Sequence, residues 1–371
     1  MVDLAAFLYS QFITYDRLTE IVNDACKNSN ASMAHIYIDI HSLLKSTLVN
    51  IGNVRVSDYT VITSCMINMA IHYKSFFRTR YQTDCKVFFI YSDNCPEVNK
   101  KWVMNYNEKD WQLFHHSPIM ADIINKNIEL MKILCPYINN VFFIPTGQET
   151  GVAIQHLMNI NKDAETQEYF NFVVSKDTYN FQLVYNDNTI ILRPKRYYND
   201  SKVQTVTDTS YYVSRSNIWK AIFESRKTQY DLNVLINPEL ASLVLAISGI
   251  SSRGIKSTIG IKRTLQIIQK LINEYAMPNA YSADVNNLAL IYMNCKPRIN
   301  TLEAAKSCPD IMIMENNFKA IDIPYQYDLF LNVSPEFDTM KSYLVNLYDP
   351  EGLKHINEEY FKNNPLDLMR L

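Results

Sequence analysis

The sequence predicts an α/β fold in which a mostly parallel central sheet is flanked by helices. Short runs of β-branched and aromatic residues recur along the first half of the chain, and each run has the length of a buried strand. Longer stretches of helical character separate these runs. Because each run is apolar at nearly every position, helices are expected to cover both faces of the sheet, as in most parallel sheets.

Helices and strands are expected to alternate in the following order. Residues 1–30 predict one or two helices, residues 57–79 a further helix, and residues 97–130 another. One more helix is expected to begin near Glu149, and residues 191–240 predict a loop or β-hairpin. The four predicted strands are HIYIDI (35–40), KVFFIYSD (86–93), NVFFIP (140–145) and FNFVVS (170–175).

Acidic residues accompany all four predicted strands. Asp39 and Asp93 lie within or at the end of two strands, and Asp177 lies just beyond a third. Glu149 follows the remaining strand, where a helix begins. Since ligands bind at the carboxyl ends of the strands in open α/β sheets, these carboxylates are expected to converge on a site for Mg²⁺ or Mn²⁺. The alternative is that each is an ordinary acid of a surface turn.

Composition excludes several classes of protein. The content of 47% hydrophobic, 12% aromatic and 20% charged residues predicts a globular chain. No apolar run reaches the roughly 18–20 residues of a membrane span, and no signal peptide is recognisable, so neither a membrane association nor secretion is expected. The 7 scattered cysteines favour a reducing, cytoplasmic location. With a net charge of −2, DNA binding would need a local basic surface.

Five short motifs follow the predicted strands in a definite order. They are IYIDIHSLL with Asp39, YSDNCPEVNKKWVMNYN with Asp93, the segment Glu149-Thr150-Gly151-Val152, SKDTYNFQL (175–183), and GISSRGI (249–255) followed by GIK (260–262). Their order and spacing resemble those of the flap endonuclease / 5′-nuclease superfamily, which has a PIN-like nuclease core. The resemblance covers about residues 34–275 and implies the same fold, with a helical hairpin subdomain and a C-terminal extension.

The resemblance also implies a metal site and a DNA-binding surface. It places one Mg²⁺ or Mn²⁺ ion on Asp39, Asp93, Glu149 and Asp177. It implies that a helical arch after the second motif contacts DNA through Lys100 and Lys101. In the family, the glycine-containing hairpin of the fifth motif holds phosphates through backbone N–H groups, often with a bound K⁺ ion. The corresponding residues here are Lys256, Gly260, Ile261, Lys262 and Arg263.

Several acids of the family's motifs are missing from this sequence. The second acid of the third motif is replaced by Gly151 or Val152, and the second Asp of the fourth by Tyr179. Both Asp positions of the fifth motif are non-acidic, since Ile250 and Arg253 stand there. A two-metal phosphodiesterase needs ions about 3.5–4 Å apart, each held by roughly two carboxylates. The sequence therefore predicts a degenerate nuclease, in which Arg253 would repel a second cation.

The segment around the fifth motif is locally basic. Residues 253–270 contain no acid and five basic residues, which are Arg253, Lys256, Lys262, Arg263 and Lys270. Such residues most often form a solvated helix face. Because glycines allow close approach and helix N-termini favour anions, position and chemistry here favour a phosphate-binding surface that does not distinguish base sequence.

Four segments and three functions are predicted. The segments are a helical extension (1–33), a PIN-like core (34–190), a linker with a helix-hairpin-helix subdomain (191–275), and a C-terminal extension (276–371) that could contact a protein partner. The first function is a catalytically degenerate protein that binds duplex or flap DNA or acts as a scaffold. Abundant Asn, Ile, Tyr and Lys are typical of AT-rich genomes, including large DNA viruses and phages, which would place it in replication, transcription or assembly in the host cytoplasm or virion. The second function is an active Mg²⁺- or Mn²⁺-dependent 5′-3′ exonuclease or flap endonuclease with fewer metal ligands, and the third is a structural protein without DNA binding.

Overall fold

The computed structural model describes residues 8–9, 11–25, 33–44, 59–92, 118–164, 169–185, 188–198, 206–226, 236–250, 253–275, 285–296 and 298–331. Its strands are β1 (Met33–Asp39), β2 (Asp84–Ser92), β3 (Val141–Thr146), β4 (Tyr169–Val174), β5 (Thr189–Arg193), β6 (Arg196–Tyr198), β7 (Val206–Asp208) and β8 (Tyr211–Val213). Its helices are α1 (Tyr15–Ala25), α2 (Tyr59–Tyr81), α3 (Pro118–Leu134), α4 (Thr150–Ala164), α5 (Ile218–Ser225), α6 (Ala241–Ser248), α7 (Ile261–Tyr275), α8 (Val285–Cys295), α9 (Leu302–Lys306), α10 (Pro309–Ile321) and α11 (Ile323–Leu331).

The centre of the molecule is a six-stranded sheet in the order β3-β2-β1-β4-β5-β8. Neighbouring strands from β3 to β5 run parallel, and β8 pairs antiparallel with β5. The predicted α/β fold with a mostly parallel, helix-flanked sheet is confirmed. The first four strands begin and end within two residues of the predicted bounds, because each is a continuous apolar run.

Alternate side chains of the strands enter two separate hydrophobic cores. In β1, Ile36 and Ile38 pack with α1, α2 and α3 on one face, whereas Tyr37 packs on the other. The second core contains residues of α4, α5, α6, α7, α8 and α10. This two-sided burial accounts for strands that are apolar at successive positions. It also leaves the ends of the strands as the places where polar side chains of the sheet meet.

Two parts of the structure differ from the predicted element order. The strands β5 and β8 extend the sheet beyond residue 190, where the nuclease-like core was predicted to end, while β6 and β7 form the expected hairpin. The division into four segments stays a prediction. The helix predicted within 97–130 is present from Pro118, and residues 97–117 lie outside the described residues.

The described part of the C-terminal extension packs against the core. The side-chain amide of Asn317 in α10 donates to the carbonyl oxygens of Ala246 at 2.9 Å and Lys256 at 3.0 Å. The amide of Gln182 donates to the Ile321 carbonyl at 2.9 Å. These contacts fix α10 against α6, the loop before α7 and the segment that follows β4. None of the helices described is both long and apolar enough to cross a membrane.

Candidate functional site

Asp39 lies buried at the carboxyl end of β1, with 1% of its surface exposed. Its Oδ1 accepts a hydrogen bond from the backbone N–H of Ser42 at 3.0 Å. Its Oδ2 accepts one from the Ser175 hydroxyl at 2.8 Å and one from the Asn180 amide at 2.9 Å. Burial raises the pKa of the Asp39 carboxyl above its ordinary value. Both carboxylate oxygens are therefore engaged by donors of the chain itself.

The guanidinium group of Arg253 lies between two further acids, Glu149 and Asp177. Its Nε donates to Oδ2 of Asp177 at 3.0 Å, Nη2 contacts the same oxygen, and Nη1 forms an ion pair with Oε2 of Glu149. Asp177 is joined to Asp39 through Ser175, whose hydroxyl accepts the Asp177 N–H at 3.0 Å. Arg253 and Glu149 are each 4% exposed. Three acids and one arginine thus share a single crevice, which we call the Arg253 crevice. Asp39, Glu149 and Arg253 are buried there, and the Asp177 side chain is 17% exposed.

A tight turn after α6 delivers Arg253 to this position. Ile250 and Ile255 exchange backbone hydrogen bonds at 3.0 and 3.1 Å, which closes the turn that carries Arg253. Gly249 has a φ of 78°, and a Cβ atom there would lie 2.6 Å from the Ser257 nitrogen. A side chain at residue 249 is therefore excluded by both backbone conformation and space. The backbone of this turn therefore fixes the position from which the Arg253 side chain enters the crevice.

The ring of Tyr179 packs against the guanidinium group of Arg253. The Arg253 guanidinium carbon lies 4.3 Å from the ring centroid, which is a cation–π contact. The hydroxyl donates to Oε1 of Gln326 in α11 at 3.2 Å. Burial, and next the Glu149 carboxylate, raise the pKa of this hydroxyl well above its ordinary value, so it stays protonated and remains a donor. The residue that replaces an acid in the fourth motif is thus a packed support for Arg253.

Gly151, one of the two positions (with Val152) at which the family's third motif would have its second acid, lies against the same tyrosine. A Cβ atom at this position would meet Asn180 Oδ1 at 2.7 Å, Tyr179 Cε1 at 2.7 Å and Ile323 Cδ1 at 2.8 Å. Real Cβ atoms do not approach other heavy atoms this closely. The space that a second acid would need is therefore filled by Tyr179, Asn180 and α11.

The described residues of the crevice do not fit a divalent metal site. Such ions need several carboxylate or carbonyl oxygens with free lone pairs. Asp39 accepts three hydrogen bonds, and Glu149 and Asp177 are neutralised by Arg253. In the described part of the crevice, Oδ1 of Asn180 is buried and has no hydrogen-bond partner, but this amide oxygen carries no charge. No group of three or more potential metal ligands occurs among the described residues.

Two more cations lie at the carboxyl edge, next to the Arg253 crevice. Lys176 directly precedes Asp177, and Arg193 is the last residue of β5. Burial, and next the charge of Arg193, lower the pKa of Lys176 to about 8. Three acids at this edge, Asp39, Glu149 and Asp177, are thus matched by three cations, Arg253, Lys176 and Arg193.

The predicted DNA-binding segment lies on the surface at the start of α7. Lys256, Gly260, Lys262 and Arg263 are exposed, whereas the side chain of Ile261 is buried. The first intrahelical hydrogen bond of α7 joins the Thr264 N–H to the Gly260 carbonyl. Helix geometry therefore directs the backbone N–H groups of residues 261–263 outward at the helix N-terminus. The K⁺ ion implied for this segment stays a prediction.

The structure corrects one assignment and leaves others outside the described residues. The sequence groups Arg253 with the exposed basic segment, but the structure buries it among acids, so it contributes no charge to that surface. Asp93, Lys100 and Lys101 lie outside the described residues, although β2 ends at Ser92, directly before Asp93. The sequence did not identify Asn180 as a partner of Asp39, and its only signal is its proximity to Asp177 in the fourth motif.

No protein-family model matches this sequence, and a search of curated protein sequences finds no match either. Among solved structures, the zinc-bound 5′-exonuclease of phage T5 is similar with a TM-score of 0.50 and 13% identity, over 85% of this chain and 98% of that chain. The T5 D15 protein with metal ions has a TM-score of 0.49 at 12% identity, covering 85% of this chain and 99% of that one. The T5 D15 flap endonuclease in complex with DNA and metal ions has a TM-score of 0.47 and 12% identity, over 85% of this chain and 98% of that chain. The chain therefore has a flap-endonuclease-like fold, as the motif order predicted.

Proposed function

We propose that this flap-endonuclease-like chain is a catalytically degenerate protein that binds nucleic acid without cleaving it. The observation that carries the proposal is the Arg253 guanidinium, which pairs with Glu149 and Asp177. In metal-dependent phosphodiester cleavage, bound ions ready the attacking water and stabilise the leaving oxygen. A guanidinium group holds carboxylates in place but supplies neither of these functions. The T5 5′-exonuclease holds zinc ions, whereas here the chain supplies its own cation.

Charge balance supports binding at the same edge of the sheet. A crevice lined by uncompensated carboxylates repels phosphates unless metal ions are bound. In this chain Arg253, Lys176 and Arg193 carry as many positive charges as Asp39, Glu149 and Asp177 carry negative ones. A phosphate backbone therefore meets no net repulsion from these six groups, even without divalent ions.

The exposed segment before α7 supports a second contact with the nucleic acid backbone. A Cβ atom at Gly260 would meet no other atom within 4 Å, so internal packing does not require glycine there. Gly260 lies outside the left-handed region of φ, so its backbone conformation does not require glycine either. Close approach of an external phosphate is a remaining reason for glycine at the N-terminus of a helix. Lys256 and Lys262 on either side supply positive charge.

We expect purified protein with Mg²⁺ or Mn²⁺ to cleave flap or 5′-ended DNA very weakly or not at all. The reason is that Tyr179, Ile250 and Arg253 stand where the family's motifs have acids, and Arg253 pairs with two of the acids that remain. Gel assays with labelled flap substrates over hours test this, and Asp39→Ala is the control for contaminating nuclease. Robust cleavage that disappears in Asp39→Ala would contradict the proposal and favour an active nuclease with a reduced ligand set.

We expect DNA binding to weaken with salt and to depend on Lys256 and Lys262. Changing both to Gln removes two phosphate contacts, so the log–log slope of affinity against salt should flatten by about 1.8 on duplex DNA. Arg263 is left unchanged because its guanidinium contacts the Asn294 carbonyl at 3.4 Å at the end of α8. Fluorescence anisotropy on two unrelated duplexes measures the slope and shows whether sequence matters.

The matched control for this measurement is Lys220→Gln combined with Lys162→Gln. Both lysines are exposed on other helices, so the double variant removes the same charge elsewhere. An equal change of slope in the control, or no binding by the wild type at moderate salt, would contradict a DNA contact at α7.

A structural role without DNA binding is the second candidate. Met312 and Ile313 in α10 are 64% and 38% exposed, and neighbouring apolar residues on a surface are typical of a protein contact. Absence of DNA binding in the experiment above would favour this role. For either role, the AT-rich coding composition leads us to propose action in viral or phage replication, transcription or assembly, in the host cytoplasm or virion.

A further inference from the structure

Lys176 and Arg193 come together at the carboxyl edge because β4 and β5 are parallel neighbours. Val174 is paired with Leu192, and the Ser175 N–H donates to the Leu192 carbonyl at 3.2 Å. Lys176 therefore leaves β4 where Arg193 ends β5. The backbone N–H of Lys176 donates to the Ser42 hydroxyl at 3.1 Å, which fixes the chain at this point beside Asp39.

Among the described residues, aromatic rings hold the guanidinium group of Arg193, and no acid pairs with it. Its carbon lies 4.9 Å from the Phe181 ring centroid and 5.9 Å from that of Tyr211. Its Nη1 is buried and has no hydrogen-bond partner among the described residues. Stacking on rings fixes the plane of a guanidinium while leaving its N–H groups available to an acceptor.

Neither cation has an acidic partner within the described part of the chain. Asp177 and Glu149 are engaged by Arg253, and Asp39 by Ser42, Ser175 and Asn180. Two neighbouring positive charges that are partly withdrawn from water repel each other, and a buried donor without an acceptor is costly. An anion that accepts from both groups would offset both costs.

We propose that Lys176 and Arg193 form a binding site for a phosphate group of nucleic acid, next to the Arg253 crevice. Arginine offers a planar pair of donors that fits phosphate oxygens, and lysine adds a compact charge. The choice of nucleic acid as the source of the phosphate rests on the proposed function. The site makes no use of divalent ions, since both positive charges belong to the chain. Bound there, a strand would cross the edge of the sheet in addition to contacting α7.

The experiment compares Lys176→Gln, Arg193→Gln and the double variant with wild type in the presence of EDTA. Fluorescence anisotropy is measured on one oligonucleotide with a 5′-hydroxyl and on the same oligonucleotide with a 5′-phosphate. Each single variant is expected to bind about tenfold more weakly than wild type, because each loses one charge-assisted contact to phosphate. The double variant should bind more weakly than either single variant. Equal losses on both oligonucleotides identify an internal phosphodiester, and a loss confined to the 5′-phosphorylated one identifies a terminal phosphate.

Matched controls separate this site from a general loss of charge or fold. Lys162→Gln and Arg78→Gln remove exposed cations near the opposite, amino edge of the sheet and should leave affinity unchanged. Arg193→Lys keeps the charge but loses the planar, ring-stacked pair of donors, so it should bind more tightly than Arg193→Gln and more weakly than wild type. Thermal unfolding of every variant shows whether a loss of affinity comes from loss of the fold, since Arg193 also packs on Phe181.

A second measurement distinguishes failure of this site from failure of the proposed function. Inorganic phosphate at constant ionic strength should raise the Tm of wild type but not of the double variant, since it binds only the folded site. If DNA binds and the variants bind it equally well, the site is refuted and the proposed function stands. If DNA does not bind but the phosphate effect requires Lys176 and Arg193, the site stands and the proposed function fails. Equal phosphate effects in wild type and double variant would refute the site.

Discussion

Replacing Arg253 with alanine is expected to lower the free energy of unfolding by about 3–5 kcal/mol, the usual cost of removing one partner from a buried ion pair. The cost arises because Glu149, which is 4% exposed, and Asp177 would keep their charges beside each other without a counter-charge. The cation–π contact with Tyr179 is lost as well. Urea unfolding of wild type and variant, in EDTA at low salt, gives the difference.

The control for this prediction is Arg215→Ala. Arg215 pairs with Glu239 at 3.3 Å, but both side chains are more than a third exposed, so its loss should cost at most about 1 kcal/mol. Millimolar Mg²⁺ or Mn²⁺ is expected to restore part of the stability of Arg253→Ala and to leave wild type unchanged, because a cation can replace the guanidinium only where it is missing. Equal small losses in the two variants would show that Arg253 does not neutralise the crevice.

Adding one methyl group at Gly151 is expected to destabilise the protein by about 1–3 kcal/mol, as overpacking of a filled core does. In an exposed helix the same change from glycine to alanine gains up to about 1 kcal/mol, so the sign itself is informative. The predicted loss follows from the three contacts below 3 Å that a Cβ atom would make with Tyr179, Asn180 and Ile323. Gly151→Asp, which places an acid at one of the two candidate positions of the family's motif, should cost more, because it adds a charge to the same space.

Two further variants test whether packing is the cause. Gly260→Ala adds the same methyl group where no atom lies within 4 Å. Because Gly260 is the N-cap of α7, where alanine is less favourable than glycine, this change should cost about 1 kcal/mol at most, less than Gly151→Ala. In a Tyr179→Leu background, Gly151→Ala should cost less than in wild type, since the ring atom at 2.7 Å is gone. If the cost of Gly151→Ala is the same in both backgrounds, Tyr179 does not limit the space at residue 151.

The strands and the strand-end acids could be predicted from sequence because their signals are local. An apolar run such as 86–93 carries its own pattern, and the acid that follows it is fixed by chain order. The strand β5 was not predicted, because TIILR is short and follows a 3₁₀ segment (Thr178–Tyr185) that carries no strand pattern. Its place in the sheet comes from pairing with β4.

The interior of the crevice could not be predicted from sequence because its partners are distant along the chain. Arg253 is 104 residues from Glu149 and 76 from Asp177, and the sequence shows only that an arginine stands where the family has an acid. From that arginine the sequence predicts repulsion of a metal ion, but it does not predict that Arg253 forms ion pairs with Glu149 and Asp177. Similarly, the sequence shows only that residue 151 is a glycine. That Tyr179 and Ile323 of α11 leave no room there for a side chain depends on the fold.

The contacts of α11 with the 3₁₀ segment have a consequence for the order in which the protein is assembled during synthesis. Tyr179 and Gln182 find partners at Gln326 and Ile321, which are 147 and 139 residues further along the chain. While the ribosome is still making those residues, the parallel sheet can form, but the tyrosine hydroxyl and the glutamine amide lack these acceptors. Closing so long a loop is slow compared with forming local helices. We therefore expect the support of Arg253 to be completed late in synthesis, after the strands of the sheet have been made.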